Sequence, residues 1–357
     1  AAGVLGDRFG RRRVLLIGLV LFGVASLLSA YAQNPGQLIG ARALMGLGAA
    51  GIMPSTLAII SNVFDPIERG RAIGVWASAV GIGVAIGPVT GGTLLEHFWW
   101  GSVFLINVPI ITVGVVLVLV LVPESRDSAP RRLDVAGVLL SVAGLLALVY
   151  GIIDGGEHGF DRPAVWLAIA LGVGLLAWFV RHERRTEQPS LDISLFSDAR
   201  FSAAIAAVGL VFFAGLGTLF FLSFYLQLVR GFSPLQAGLV MTPFAVAQLI
   251  FAPRSSAMVR RFGPRVVCAG GLALVTLALA SYAFVGVTTP VAVLLVLTFV
   301  QGTGMAHVVP PTTESIMSSL PPQRAGVGSA VSNTFRQVGG ALGVAVLGAV
   351  LSAVYRR

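Results

Sequence analysis

Lysine is absent from this 357-residue chain, and all 24 basic positions are arginine. Charge of either sign is scarce: 11% of residues, against roughly 25% in a soluble domain. A water-soluble globular fold is excluded on that ground. The single cysteine, Cys268, excludes an internal disulfide and reads as inert packing. Histidine, carboxylate and cysteine never gather at catalytic or metal-ligand spacing, so neither an enzyme nor a metal site is expected. No G-x-x-x-x-G-K-[ST] phosphate loop occurs, which argues against an ATP-driven pump within this chain.

What is abundant is apolar. Hydrophobic residues make up 56% of the chain, and mean hydropathy is +0.90. Eleven runs follow one another at 13–32, 36–60, 72–96, 101–122, 133–153, 164–181, 201–226, 236–253, 265–286, 291–317 and 326–354. Each suits a helix crossing a hydrocarbon core about 30 Å thick. Residues 1–5 read as the tail of a further span, and the start without methionine inside an apolar run reads as a fragment. The expected class is an all-α polytopic membrane protein.

The net charge of +9 reports topology rather than a nucleic-acid partner. With residues 6–12 in the cytoplasm, eighteen arginines fall on that side and four on the other, as the positive-inside rule requires.

The chain repeats itself. Gly46, Gly48 and Pro54 match Gly302, Gly304 and Pro310 at an offset of 256. The same offset pairs Gly83 with Gly339, Gly87 with Gly343 and Gly92 with Gly348. "DRFGRR" near the start resembles "RRFGPR" at 260–265, at an offset of 253. Eight spans at about 32 residues each give that offset, so both copies run the same way through the bilayer. Parallel repeats of this kind mark transporters whose halves rock about a central site. "GLGAAG" at 46–51 fits a dinucleotide fingerprint, but it lies inside a span with no strand before it, which removes that reading.

Residues 3–15 read "GVLGDRFGRRRVL". Gly3, Leu5, Asp7, Arg8, Gly10, Arg11 and Leu15 resemble the loop signature of the major facilitator superfamily. A short turn between spans needs glycine to bend, and a carboxylate at the membrane edge can meet a helix N-terminus or an arginine. Asp7, Arg8, Gly10 and Arg11 are therefore candidates for a charged latch; a generic positive-inside loop is the plainer alternative. Gly74, Gly83, Gly87, Pro88, Gly91 and Gly92 are similar to the signature of that superfamily's proton-driven drug exporters. Gly83, Gly87 and Gly91 recur every four residues and form one smooth face, where lipid-embedded helices approach closely. Pro88 removes a backbone hydrogen bond and bends the span. Ordinary small-residue packing is the alternative there. "RALMGLGAAG" from Arg42, "FLINVPI" at 104–110, "YLQLVRGFSPLQAG" at 225–238 and "NTFRQVGGALGVAVLG" at 333–348 extend the resemblance to the fourteen-span EmrB/QacA-type branch.

That resemblance implies two six-helix bundles with an inserted pair of helices. The expected divisions are an N-terminal bundle over 1–122, a linker with two extra spans over 123–200 and a C-terminal bundle over 201–357. The first span, most of the second and the last would lie outside this sequence. An acid usual in the first span of relatives would be missing with it. Arg260 stands where an acid often sits in the second-half loop, which weakens a second latch.

Ionisable groups inside spans mark function by default. Arg42 lies about 9 Å into its span by helical rise; the resemblance implies a coupling role, and a structural link is the alternative. Glu314, after Pro310 and Pro311, reads as a proton site or as a side chain snorkelling to the cytoplasmic edge. His307 reads as a proton site or as a helix-to-helix hydrogen bond. Arg336 is placed to meet an anionic group or to pair with Glu314.

The function expected is export of small amphipathic compounds in exchange for protons, across a bacterial cytoplasmic membrane. The proton gradient supplies the energy, with no cofactor. Partners are the small-molecule substrate, protons and the lipid bilayer; a periplasmic adaptor is left open. The alternatives are a dedicated exporter of one endogenous metabolite or antibiotic and a solute-binding membrane receptor that does not transport.

Overall fold

Apolar segments of this length become helices because lipid offers the backbone no hydrogen-bond partner outside its own chain. The computed structural model describes residues 9–65, 86–125, 134–186, 193–319 and 325–355, with Gly6, Glu68, Ala72 and Gly83. All of its regular structure is helical: α1 (Arg11–Ala30), α2 (Pro35–Val63), α3 (86–97), α4 (Ser102–Leu121), α5 (Val135–His158), α6 (Pro163–Glu183), α7 (Ala199–Val229), α8 (Pro234–Tyr282), α9 (Val291–Ser318) and α10 (Ala325–Tyr355). Among the described residues, nine helices are long and apolar enough to cross a membrane.

The eleven expected runs meet these helices closely, and the difference has two sources. The run at 72–96 lies mostly outside the described residues. The runs at 236–253 and 265–286 are two helical limbs parted at Gly263, where φ 80 and ψ 157 break the helix, and they are numbered together as α8.

Helix starts follow local chemistry. Asn34 accepts from the Gln37 N–H, with Pro35 at the first turn of α2. Ser233 and Gln236 form a reciprocal capping box at the start of α8, ahead of the same use of Pro234. Asp198 accepts from the Arg200 N–H at 2.7 Å and opens α7.

The chain divides into two compact units, Ala1–Leu133 and Asp134–Arg357. In the first, α1 and α2 cross backbone to backbone. A Cβ at Gly48 would lie 2.8 Å from the Gly18 carbonyl oxygen, and one at Gly18 would lie 2.9 Å from that of Gly48. The second unit contains the same crossing. A Cβ at Gly304 of α9 would lie 2.7 Å from the Gly271 oxygen of α8, and one at Gly271 as near to that of Gly304. Gly18 and Gly271 differ by the offset of 253, and Gly48 and Gly304 by 256. The loop glycines repeat too: Gly10 has φ 107 and Gly263 has φ 80, a backbone region closed to most side chains. The internal repeat is therefore a repeat of packing.

The second unit also holds α5 and α6, which meet at Gly144 and Gly172. Helix α5 then packs on α10, where a Cβ at Gly156 would run into the backbone of Ala349. The hairpin is tied at its α5 start by Asp134. Its Oδ1 accepts from the Gly137 N–H at 2.9 Å and lies 3.0 Å from His182 Nε2 on α6. Burial alone would raise this carboxyl's pKa, but the Gly137 N–H and the His182 ring, by hydrogen bonding and charge, hold it below the ordinary 3.8.

A depressed carboxyl stabilises above its ordinary pKa and loses that contribution as pH falls through the depressed value. Asp134→Ala is accordingly expected to cost about 1 kcal/mol near pH 7, as loss of a helix cap does. The gap between parent and variant thermal midpoints should close as pH is lowered through and below the ordinary carboxyl value of 3.8. A gap that stays constant over that range would assign the effect to shape rather than charge.

Candidate functional site

Two groups of candidate side chains emerge, one in each unit. In the first, the loop ahead of α1 wraps a carboxylate. Asp7 and Arg8 lie outside the described residues. Gly10, at φ 107, turns the chain into α1, and Glu124 from the end of α4 fills the space a Cβ at Gly10 would need. Glu124 Oε1 accepts from the Arg12 N–H at 3.2 Å, and its Oε2 lies 3.7 Å from Arg13 Nε. The Arg11 N–H donates to the Ser125 carbonyl at 3.0 Å, and Arg12 Nη2 donates to the Leu119 carbonyl at 2.6 Å. A carboxylate at exposed helix N–H groups is favoured by the helix dipole.

The sequence pointed to Gly10 and Arg11 but not to Arg12 or Arg13, which meet Glu124, and it did not single out this acid. The signal was present: Glu124 directly follows a span, at the edge of an arginine-rich side. Gly10→Ala is expected to break the arrangement twice. It imposes a backbone penalty of about 1–2 kcal/mol and displaces the carboxylate. Transport should fall more than with Glu124→Gln, which keeps an acceptor for the Arg12 N–H. Equal rates in the two variants would show that the turn carries no strain.

Arg42 on α2 is exposed, with its guanidinium 5.7 Å from the centroid of the Phe104 ring on α4. That helix is fixed by a polar knot. Ser26 Oγ donates to the Phe104 carbonyl at 2.9 Å, and Asn107 Nδ2 donates to Ser26 Oγ at 3.0 Å. The asparagine of "FLINVPI" thus positions the ring that Arg42 faces.

Of the glycine face, Gly74 lies outside the described residues. Nothing lies within 4 Å of a Cβ placed at Gly83, Gly87 or Gly91; Pro88 is half-buried and Gly92 buried. Among the described residues this face is open. The repeat mates behave differently: Gly339 and Gly343 of α10 leave no room for a Cβ against the backbones of Gly209 and Phe213 on α7.

In the second unit, Arg336 projects from α10 between α9 and α7. Its Nη2 donates to Thr313 Oγ1 at 2.8 Å, and its Cζ lies 5.4 Å from the centroid of Phe212. Its Nε is buried without an acceptor. The expected alternative of a pair with Glu314 is not formed: Arg336 takes the neighbouring threonine, and Glu314 is exposed. One residue along α10, Gln337 enters a groove of about 440 Å³ with Gly340, Ala341 and Val344. Leu216, Leu219 and Phe220 of α7 line the other wall. The arrangement offers apolar and aromatic surface, one amide and an adjacent cation, which suits an amphipathic molecule.

His307 is buried on α9. Its Nδ1 lies 2.7 Å from the Thr303 carbonyl, its Nε2 3.2 Å from Met258 Sδ of α8, and the Phe251 ring centroid 5.7 Å away. Another buried polar group escaped sequence reasoning: Gln301 on α9 is fully buried and accepts from the Tyr282 hydroxyl at 3.4 Å.

The family profile of the Major Facilitator Superfamily matches residues 1–344. The chain belongs to the Major Facilitator Superfamily. It is 40% identical over 357 residues to the multidrug efflux pump LfrA of Mycolicibacterium smegmatis, covering 100% of this chain and 71% of LfrA. It is 37% identical over 358 residues to the multidrug resistance protein Stp of Mycobacterium tuberculosis, covering 99% of this chain and 66% of Stp. In shape it is similar to a peptide transporter POT crystallised with sulfate, at a TM-score of 0.67 and 17% identity over 99% of this chain and 77% of that one. At that identity the likeness is one of fold. This superfamily member is thus a multi-pass membrane transport protein and not an enzyme, with multidrug efflux proteins among its relatives.

Proposed function

We propose that this chain carries the working core of a proton-driven exporter of small amphipathic compounds in the bacterial cytoplasmic membrane. Its place is the fourteen-span EmrB/QacA-type branch, with bundles over 1–122 and 201–357 and inserted helices between them. The observation that carries the reading is the α7–α10 groove, apolar and aromatic on its walls, with Gln337 in it and the half-buried Arg336 beside it. The multidrug names of LfrA and Stp support the same substrate class.

Inward movement of one proton releases about 2.3 kcal/mol per 100 mV, enough to drive a substrate uphill without any bound cofactor. Arg42, His307, Glu314 and Arg336 are the groups assigned to coupling or to the path. Asp7, Arg8, Gly10 and Arg11 form the cytoplasmic latch, together with Glu124. The Gly83–Gly87–Gly91 face is the surface on which a neighbouring span seals and slides.

The test is dye transport in proteoliposomes under an imposed pH gradient, followed by collapse of the gradient with a protonophore. Movement of a lipophilic dye that needs the gradient, stops with the protonophore and fails in a folded Gly87→Leu variant is the expected result. Dye binding that ignores the gradient would replace antiport with the receptor reading.

A further inference from the structure

His307 is 8% exposed, and its ring is held in a way that fixes the roles of both nitrogens. Nδ1 lies 2.7 Å from the Thr303 carbonyl oxygen, an atom that only accepts, so Nδ1 carries the proton. In the neutral ring Nε2 then presents a lone pair. What it faces, at 3.2 Å, is the thioether sulfur of Met258, which also presents only lone pairs. Two electron-pair donors directed at one another are set to share a cation. The Phe251 ring, with its centroid 5.7 Å from that of His307, adds an aromatic wall that tolerates positive charge.

We infer that His307 Nε2 and Met258 Sδ form a two-ligand site for a soft monovalent metal ion, copper(I) or silver(I), joining α8 to α9. Donor softness selects this class, since thioethers prefer copper(I) and imidazole accepts copper readily. Zinc asks for four ligands in a structural site; among the described residues no group of three or more His, Cys, Asp or Glu gathers. Even at the shorter bonds zinc makes, about 2.0 Å to nitrogen and 2.3 Å to sulfur, the two atoms must part by about 1 Å from their 3.2 Å separation for a near-linear arrangement. Met258 can supply that movement, being 38% exposed on an unbranched side chain with three rotatable bonds.

The pair is no requirement of the fold. The repeat mates of His307 and Met258, at offsets of 256 and 253, are Gly51 and Leu5, so the first copy has neither ligand. Metal binding would staple the first limb of α8, before Gly263, to α9. Both limbs already meet α9, the first where Gly302 backs onto Phe244 and the Thr298 hydroxyl donates to the Val240 carbonyl, the second at Gly271 and Gly304. The metal would add a bond at the Gly263 end of the first limb, where the two limbs part, and slow movement there.

Silver nitrate in chloride-free buffer is the probe, with the purified transporter carrying Cys268→Ala so that its thiol does not contribute. Calorimetric titration is expected to show one silver equivalent. Affinity should fall at least tenfold in Met258→Leu and the equivalent should vanish in His307→Ala. Dye transport by Met258→Leu should match the parent without silver and resist silver that inhibits the parent. Silver binding of parent strength in Met258→Leu would overturn the assignment, as would equal inhibition of the two proteins. Absence of the equivalent in the parent would also overturn it, leaving Nε2 to hold a proton against the sulfur.

Discussion

Gly343→Leu is expected to abolish the folded transporter, while Gly87→Leu, its mate in the internal repeat, leaves the fold standing. The two positions share an offset of 256 and a glycine-rich helix, but their surroundings differ. At Gly343 a Cβ would collide with the Phe213 carbonyl of α7, and one turn earlier Gly339 faces the Gly209 carbonyl in the same way. From the other side, a Cβ at Gly217 of α7 would lie 3.0 Å from the Gly343 oxygen. The obstacles are backbone atoms, which have no rotamer to change.

Overpacking of a close contact costs about 1–3 kcal/mol, and more where nothing yields; here α10 would have to leave α7. The monodisperse yield in mild detergent should drop more than tenfold for Gly343→Leu. Among the described residues nothing lies within 4 Å of a Cβ at Gly87, so Gly87→Leu should keep yield and thermal midpoint near the parent's. If both variants fold equally well, the α7–α10 contact is looser than the backbone distances state. If both fail, the Gly87 face is covered by packing as tight as that at Gly343.

Arg336→Gln should lower dye transport at least tenfold, equivalent to about 1.4 kcal/mol, with the fold retained. The guanidinium donates to Thr313 Oγ1 at 2.8 Å and stands over Phe212 at 5.4 Å, while its Nε has no acceptor. Among the described residues no ion pair neutralises it. A charge held in that state within a span is costly, and its removal is not expected to destabilise the protein. A glutamine reaches the threonine but carries no charge, so the variant separates electrostatics from packing. Thr313→Val should weaken transport by a smaller factor, because it frees one guanidinium donor and leaves the charge. Glu314→Gln should change it little if Glu314 acts only at the exposed edge. Undiminished transport by a folded Arg336→Gln protein would remove Arg336 from the coupling assignment.

Much of the fold was legible because membrane helices write themselves as long apolar runs. The repeat was readable at the level of single glycines. Gly48 and Gly304 take the same place in the same crossing, and Gly10 and Gly263 share a positive φ. The runs at 236–253 and 265–286 are separate in the sequence and parted in the fold, where the backbone breaks at Gly263 within "RSSAMVRRFGPR" at 254–265. Site residues on one helix were found, while partners from another were missed. Glu124 reaches Gly10 across more than a hundred positions, and Thr313 competes with Glu314 for Arg336 only through the turn of α9. Such pairings are set by helix rotation, which an apolar stripe wrapped around a lipid-facing helix does not encode.

The two signature loops share a backbone turn. At Gly10 that turn encloses the Glu124 carboxylate. The loop ahead of α1 is therefore a charged joint, closed by attraction rather than by apolar contact. Mobile ions weaken such a joint by screening it. Dissolved salt would then set how firmly it holds.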